Sequence, residues 1–435
     1  MAVVWWSRLA WSLLGLAVAC GESSHGSGTK SGGPAGDAAS AGTGGANPTS
    51  GAGGTAGSGA SSGAVGASAL GGAAGASVAG TGSRGAAQSG GGGDLGAAGA
   101  EEEPVRTELG VDGYERVEMI AISDDGTYVV GNVTGAGDAA LARGVRWKDT
   151  VPTLLEPQEG WREVYPQAIS ADGSLVVGRL FTASDSYGFT WNGTTAGLLQ
   201  GLEGLSFGSD ALAVSGDGKL VLGSVRDENL QGYAAAWRDG SLELLPQPTG
   251  FERLNPVATS FDGTESVGTG EEQGAPVSVR WVRDGSGGVV AQAIDDVVEV
   301  DDVSGDGRWF VGIDASGMFR RETTGSTTEP IPPLDDPSFV DCRPAATNAT
   351  GSIVVGNCQA SFPGGSGRGF LWSEKRGTVT VDSVFDTLGI SVYPWCAIVD
   401  VSADSSTLLL TCSENNDMGR SISLGVRLRL AGAFD

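Results

Sequence analysis

Histidine is all but missing from this sequence. The one copy, His25, stands in a glycine-rich stretch apart from every repeat described below. Ser-His and Cys-His nucleophile pairs and the usual zinc ligand sets are therefore excluded from the rest of the chain. Carboxylate-only chemistry survives that exclusion. Long apolar runs are missing too: the uncharged, mostly apolar stretch from Leu9 to Ala19 covers 11 residues, too few to span a bilayer. Positive charge is scarce, with 26 Lys and Arg against 52 Asp and Glu, and 23 against 46 between residues 104 and 435. So acidic a surface repels nucleic acid and anionic headgroups, and no nucleic-acid partner is expected. No cofactor is called for, and no metal ligand set.

Glycine, by contrast, is abundant and unevenly placed. Of 74 glycines, 28 fall between Gly21 and Ala100, in a stretch of Gly, Ala, Ser and Thr with hardly an aromatic or large aliphatic residue. Such a segment buries too little apolar surface to offset the entropy of ordering itself. It reads as a disordered tether over 20–104, with a root-mean-square span of about 50 Å as a flexible coil. Before it, residues 1–19 carry Arg8, the short apolar stretch and then Ala17-Val18-Ala19-Cys20. This resembles a bacterial lipoprotein precursor, in which small residues precede a cysteine that becomes lipidated. The resemblance implies lipidation at Cys20, export, and a membrane partner held through the N-terminal lipid at the outer membrane or cell surface. Ordinary cleavage after Ala19, leaving a secreted chain that begins with Cys20, is the alternative.

Residues 105–435 are built from a repeated phrase. "AISDDGTYVVG" at Ala121 returns as "AISADGSLVVG", "AVSGDGKLVLG", "ATSFDGTESVG", "DVSGDGRWFVG", "ATNATGSIVVG" and "DVSADSSTLLL". Its anchor positions are Ser123, Ser170, Ser215, Ser260, Ser304, Asn348 and Ser402, spaced 47, 45, 45, 44, 44 and 54 residues apart. Seven copies of about 45 residues match the length of a four-stranded propeller blade. A copy supplies two strands joined across a tight turn, which in five of the seven is Asp-Gly, a hairpin signal, then a third strand that in five copies ends in Trp147, Trp191, Trp237, Trp281 or Trp372, then, in all but the last, a short fourth. The period is two throughout, with no helical stripe of useful length. The expected fold is all-β: a seven-bladed β-propeller of four-stranded antiparallel blades, forming one domain after the leader and tether.

The alternation of "SxDGxxVVG" with "GFLW"-type strands resembles the HAF family of bacterial extracellular repeats over essentially all of 105–435. The resemblance implies fold and an extracellular location and adds little on chemistry; this chain lacks the third-strand histidine typical of that family. The last copy ends at "GVRLRL" without a fourth strand, whereas "VRTEL" at 105–109 precedes the first copy unassigned. The N-terminal piece is therefore expected to supply the outer strand of the last blade and to cover an exposed sheet edge.

Blade topology decides how the repeated acidic phrase is read. The first and third turns of a blade share one rim, the second turn and the link between blades the other. All seven copies of the phrase, five with Asp-Gly, one with Thr350-Gly351 and one with Asp404-Ser405, thus lie on one uniform rim, where Asp and Gly supply local hydrogen bonds and positive φ, a turn rather than a calcium or catalytic cluster. The opposite rim is irregular, with loops expected at 131–143, 357–368 and 411–423, and recognition is placed there. Tyr114, Trp161, Phe207, Phe251, Phe339 and Tyr393 recur about nine residues before the anchors. They read either as wedges between blades or as a platform for sugar rings or peptide side chains. The candidate ligand-binding set is Trp161, Tyr187, Phe251, Phe339, Tyr393, Glu271, Glu414 and Asn416, with Asp185 nearby. The function expected is a surface-displayed, non-enzymatic binding or scaffolding propeller whose ligand is a glycan, a peptide or an envelope protein. The alternative is a carboxylate-dependent extracellular hydrolase or lyase acting on glycans.

Four of the five cysteines repeat by position. Cys342 lies six residues before its anchor and Cys358 ten after it; Cys396 and Cys412 stand likewise about Ser402. Each pair is symmetric about its hairpin turn, which predicts Cys342–Cys358 and Cys396–Cys412 disulfides across the first two strands. Free thiols and a Cys342–Cys396 link between blades are the alternatives.

Overall fold

The computed structural model of the protein describes residues 105–430 apart from 136–140, 157–158, 203–207, 230, 326–327, 363–366, 392, 394 and 416–420. The leader, Cys20, the tether, Phe207 and Asn416 lie outside the described residues. Each of the first six repeats forms a four-stranded antiparallel set with its strands in sequence order from the ring centre outwards. In blade 2 these are Glu163–Ile169, Val176–Phe181, Ser186–Trp191 and Ala196–Leu198. The seventh repeat contributes Trp395–Val401, Thr407–Asn415 and Ser421–Arg429. Val105–Leu109 completes it, pairing antiparallel with the third strand from Val105↔Arg429 to Leu109↔Gly425. The chain is a seven-bladed β-propeller closed by its N-terminal strand.

The repeated phrase is a turn in every copy. Gly126, Gly173, Gly218, Gly263, Gly307 and Gly351 hold φ between 69° and 71°, and Ser405 takes the same place at 64°. The anchor serine is buried at the hinge of the hairpin. Ser170 Oγ donates to Asp172 at 2.8 Å and accepts from Leu175 N at 3.0 Å, while Asp172 also accepts from Ser174 N at 2.9 Å. The Ser174 hydroxyl and amide, with Ser170, hold the Asp172 carboxyl below its ordinary range. These carboxylates are spent on the backbone. The turns are also stitched into a ring, as in Asp124 N to Ala171 O and Ala171 N to Gly216 O, both 3.0 Å.

The glycine that ends the phrase has another purpose. Each innermost strand carries a register shift opposite it, and a side chain there would strike backbone: a Cβ on Gly223 would lie 1.8 Å from the Asp210 carbonyl oxygen, and one on Gly178 2.1 Å from that of Tyr165. Blade 7 has Leu410 at this position. There Leu428 also replaces the third-strand tryptophan, whose ring in blade 1 would lie 3.2 Å from a Cβ on Gly131.

The core lies between blades, where aliphatic residues from facing sheets interdigitate, as Val130 of blade 1 does with Val164, Ile169 and Val176 of blade 2. Buried Trp147, Trp237 and Trp281 donate their indole N–H to the carbonyls of Gly110, Gln200 and Pro246. Both expected disulfides are present, with Cα separations of 3.8 Å for Cys342–Cys358 and 4.1 Å for Cys396–Cys412. They mark a non-reducing, exported environment. The second pair is opposed directly in the ladder, while Cys342 sits beside Asp341 in a bulge with φ 48°.

Two expectations need correction. A helix, Val381–Thr387, fills the link between blades 6 and 7; it is capped by Thr380 and buries Val381, Val384 and Phe385. It accounts for the long 54-residue spacing. The segments read as loops are also partly strand, since the second strands run on to Thr134, Ala360 and Asn415.

Candidate functional site

Most of the sequence-selected aromatics serve the core. Phe251 and Tyr393 are buried in hydrophobic clusters, and Trp161, Tyr187 and Phe339 are partly buried against such clusters. Tyr393 hydroxyl meets Glu108 of the closing strand. Glu271 pairs with Arg253 at 3.0 Å, and Asp185 closes a tight turn with Thr182. Glu414 falls in the second strand of blade 7. These residues are spread around the ring and form no single constellation.

A different constellation forms five residues before each anchor, where the innermost strands carry Glu118, Tyr165, Asp210, Asn255, Glu299, Arg343 and Ala397. Strand rise puts this level about 17 Å from the Asp-Gly turns, toward the irregular rim. Beside it runs the cross-strand level of Asn132, Arg179, Ser224, Thr269, Ile313, Asn357 and Thr411. On blades 5 and 6 the level is neutralised internally, since Arg343 is bonded to Glu299.

Blades 1 to 3 differ. Glu118 lies opposite Asn132, and burial raises its carboxyl above the ordinary value near 4.5 against the opposing effect of the Asn132 amide. Burial, then the charge and hydrogen bond of Glu163, push Tyr165 up to about 12, with Glu118 adding to the shift and Arg179 opposing it. Arg179 reaches across to buried Asp210 at 3.7 Å, and Arg226 meets the other Asp210 oxygen at 3.4 Å. Phe181 packs edge-on against Tyr165 with centroids 5.6 Å apart and lies under the Arg179 guanidinium. Glu118, Glu163, Tyr165, Arg179 and Asp210 therefore make a concentrated polar cluster on the inner wall. Among the described residues, no group of three or more His, Cys, Asp or Glu converges as a metal set.

The Glu118 shift makes a testable prediction. A carboxyl whose folded pKa is raised contributes fully below its ordinary value, and that contribution is lost as pH rises through the folded value. Glu118→Gln is therefore expected to gain stability over the wild type as pH rises from about 4.5. Urea midpoints at pH 4 and pH 7 check this, and a difference that is the same at both pH values would reject burial as the cause.

No protein-family model matches the chain, and no curated protein matches it in sequence. Its fold is similar to solved structures at low identity. TolB from Acinetobacter baumannii is 14% identical, with 62% of this chain and 64% of that one covered and a TM-score of 0.39. Oligogalacturonate lyase from Vibrio parahaemolyticus is 10% identical over 77% of this chain and 98% of that one, with a TM-score of 0.49. A puromycin-hydrolyzing peptidase from Mycobacterium tuberculosis is 12% identical over 70% of this chain, with a TM-score of 0.49. This chain spans 52% of that peptidase. These likenesses concern architecture alone.

Proposed function

We propose that this chain is a lipid-anchored, surface-displayed binding or scaffolding propeller of the HAF-repeat type, and that it recognises its ligand on the irregular rim. The observation that carries the reading is the clustering of Glu118, Glu163, Tyr165, Arg179 and Asp210 toward that rim, while the repeated turn aspartates of the other rim, from Asp125 to Asp404, are spent on turn hydrogen bonds. Polar groups concentrated on a rigid scaffold suit recognition. Cys20 supplies the anchor.

A second reading is favoured by the upward shift of Glu118. A carboxyl whose burial favours its protonated form, on the same strand level as an arginine-paired carboxylate, is an arrangement related to that used in glycoside cleavage. Release of new reducing or unsaturated ends from a glycan, abolished in Glu118→Gln, would move the assignment to that class.

The test is a screen of the mature full-length protein against envelope glycans, peptides and proteins. Binding is expected to fall at least tenfold in Asp210→Asn and to persist in Phe261→Ser, a change at an exposed side chain of the uniform rim. The reverse pattern refutes the assigned face. Intact mass of the mature chain is expected to show acyl chains on Cys20, and an unacylated terminus refutes the anchor.

A further inference from the structure

Asn132 is 4% exposed, yet among the described residues neither its amide nitrogen nor its amide oxygen completes a hydrogen bond of normal geometry, the Glu118 carboxyl across the strand pair being a polar neighbour at longer range. Burying such a group unpaired is costly, and a native structure seldom does so without a use for it. The corresponding side chains in other blades show what the position ordinarily does. Asn357 accepts from Ile398 N at 2.9 Å and donates to Ile398 O at 2.8 Å in the following blade. Thr411 Oγ1 accepts from Met119 N at 3.0 Å in the same way. The residue that faces Asn132 from the following blade is Pro166, which has no N–H to give. Where Pro256 and Pro344 stand at that place, the facing residues are the small Ser224 and the apolar Ile313, neither of them an amide.

Two further groups on these strand levels, in blades 2 and 3, are incompletely hydrogen-bonded. Asp210 is 6% exposed; its Oδ1 accepts no hydrogen bond and has only the 3.7 Å approach of Arg179 Nε, itself without a hydrogen-bond acceptor. The cluster therefore offers an amide N–H₂ and a guanidinium N–H as donors, and an amide oxygen and a carboxylate oxygen as acceptors. We propose that Asn132, Glu118, Tyr165, Arg179 and Asp210 bind a neutral, hydroxyl-rich ligand, a saccharide, at the inner wall of blades 1 to 3. A hydroxyl donates and accepts at once, so adjacent hydroxyls of a sugar satisfy mixed donors and acceptors that a purely anionic or cationic group would meet with like charge. Glu118, Glu163 and Asp210 repel an anion; Arg179 and Arg226 repel a cation. The Tyr165–Phe181 pair supplies an apolar face for C–H groups.

This inference rests on the recognition reading above and narrows it. Its test uses the mature full-length protein titrated with neutral cello-, xylo- and N-acetylated chito-oligosaccharides, with oligogalacturonate and spermidine as charged counterparts. At least one neutral series is expected to bind, and Asn132→Leu is expected to weaken it tenfold or more while raising the melting temperature by a few degrees, because an unpaired buried amide is exchanged for a side chain of similar volume. A lower melting temperature with unchanged saccharide affinity assigns Asn132 to the fold or to a buried water and overturns the proposal. So does preference for either charged probe, or failure of every neutral series. If peptides or envelope proteins still bind through Asp210 in that case, the recognition reading stands and only the saccharide fails; binding that maps to the uniform rim sinks both.

Discussion

Deleting Val105–Leu109 is expected to abolish the closed ring and leave a chain that aggregates or fails to reach a two-state transition. The deletion strips the third strand of blade 7 of its partner over all five register pairs and exposes an unpaired edge. Leu109 is buried among Val117, Met119 and Trp147, so Leu109→Ala alone is expected to cost about 2–5 kcal/mol. Further contacts go with the strand: the Arg106 guanidinium on the Ser391 carbonyl at 2.9 Å and the Glu108 carboxylate on Tyr393. Other ties at this seam remain, including Asp400 to Ile122 N at 3.1 Å and Ser423 to the Val117 carbonyl at 2.8 Å, but they bind blade 7 to the innermost strand of blade 1 and do not replace the outer strand along the edge. Size-exclusion chromatography and chemical denaturation of the two variants check this. Unchanged elution and midpoint for the deletion would show that the clasp is dispensable.

Replacing both disulfides by alanine pairs is expected to be the next largest loss. Each bridge closes a 16-residue separation, for which the chain-entropy estimate is about 3 kcal/mol. Cys396 and Cys412 are also fully buried beside Ile398 and Leu410, so their substitution leaves a void in addition. The double replacement at Cys396 and Cys412 is therefore expected to lower stability more than that at Cys342 and Cys358, where Cys342 is only partly buried. Denaturation of the exported protein with and without reductant measures both. Equal midpoints in the two conditions would assign the cysteines no stabilising role.

The blades were legible because their determinants are local and repeated: Asp-Gly with the anchor serine specifies the hairpin, and seven copies fix the count. The closing strand followed from counting strands, since the last copy lacks a fourth and the first is preceded by a spare, and both disulfides followed from register, since a hairpin centred on a known turn dictates which residues oppose each other. Val381–Thr387 was not legible, because seven residues carry too little periodicity to stand out from strands. The inner-wall cluster has no motif at all. Glu118, Tyr165 and Asp210 lie 47 and 45 residues apart with nothing common in their chemistry, and only aligning the copies on their anchors brings them to one level. The aromatics before the anchors allowed two readings, wedge or platform, because a large side chain at a repeated position suits both; Phe251 and Tyr393 lie in the wedge between blades. Asn132 was invisible for a subtler reason, since its peculiarity depends on Pro166 in another repeat.

The register of the clasp also decides how the ring responds to force. Val105 pairs with Arg429, which in turn pairs with Thr407 just beyond the Ser402–Ser406 turn, so whatever precedes Val105 is joined to the ring at the uniform rim. A pull on that segment away from this rim runs along the strand axis. All five pairs of the clasp are then loaded together in shear, and none can be peeled first. The attachment that closes the ring is thus also set in its mechanically strong direction, with the Glu118–Asp210 cluster at the far end from the load.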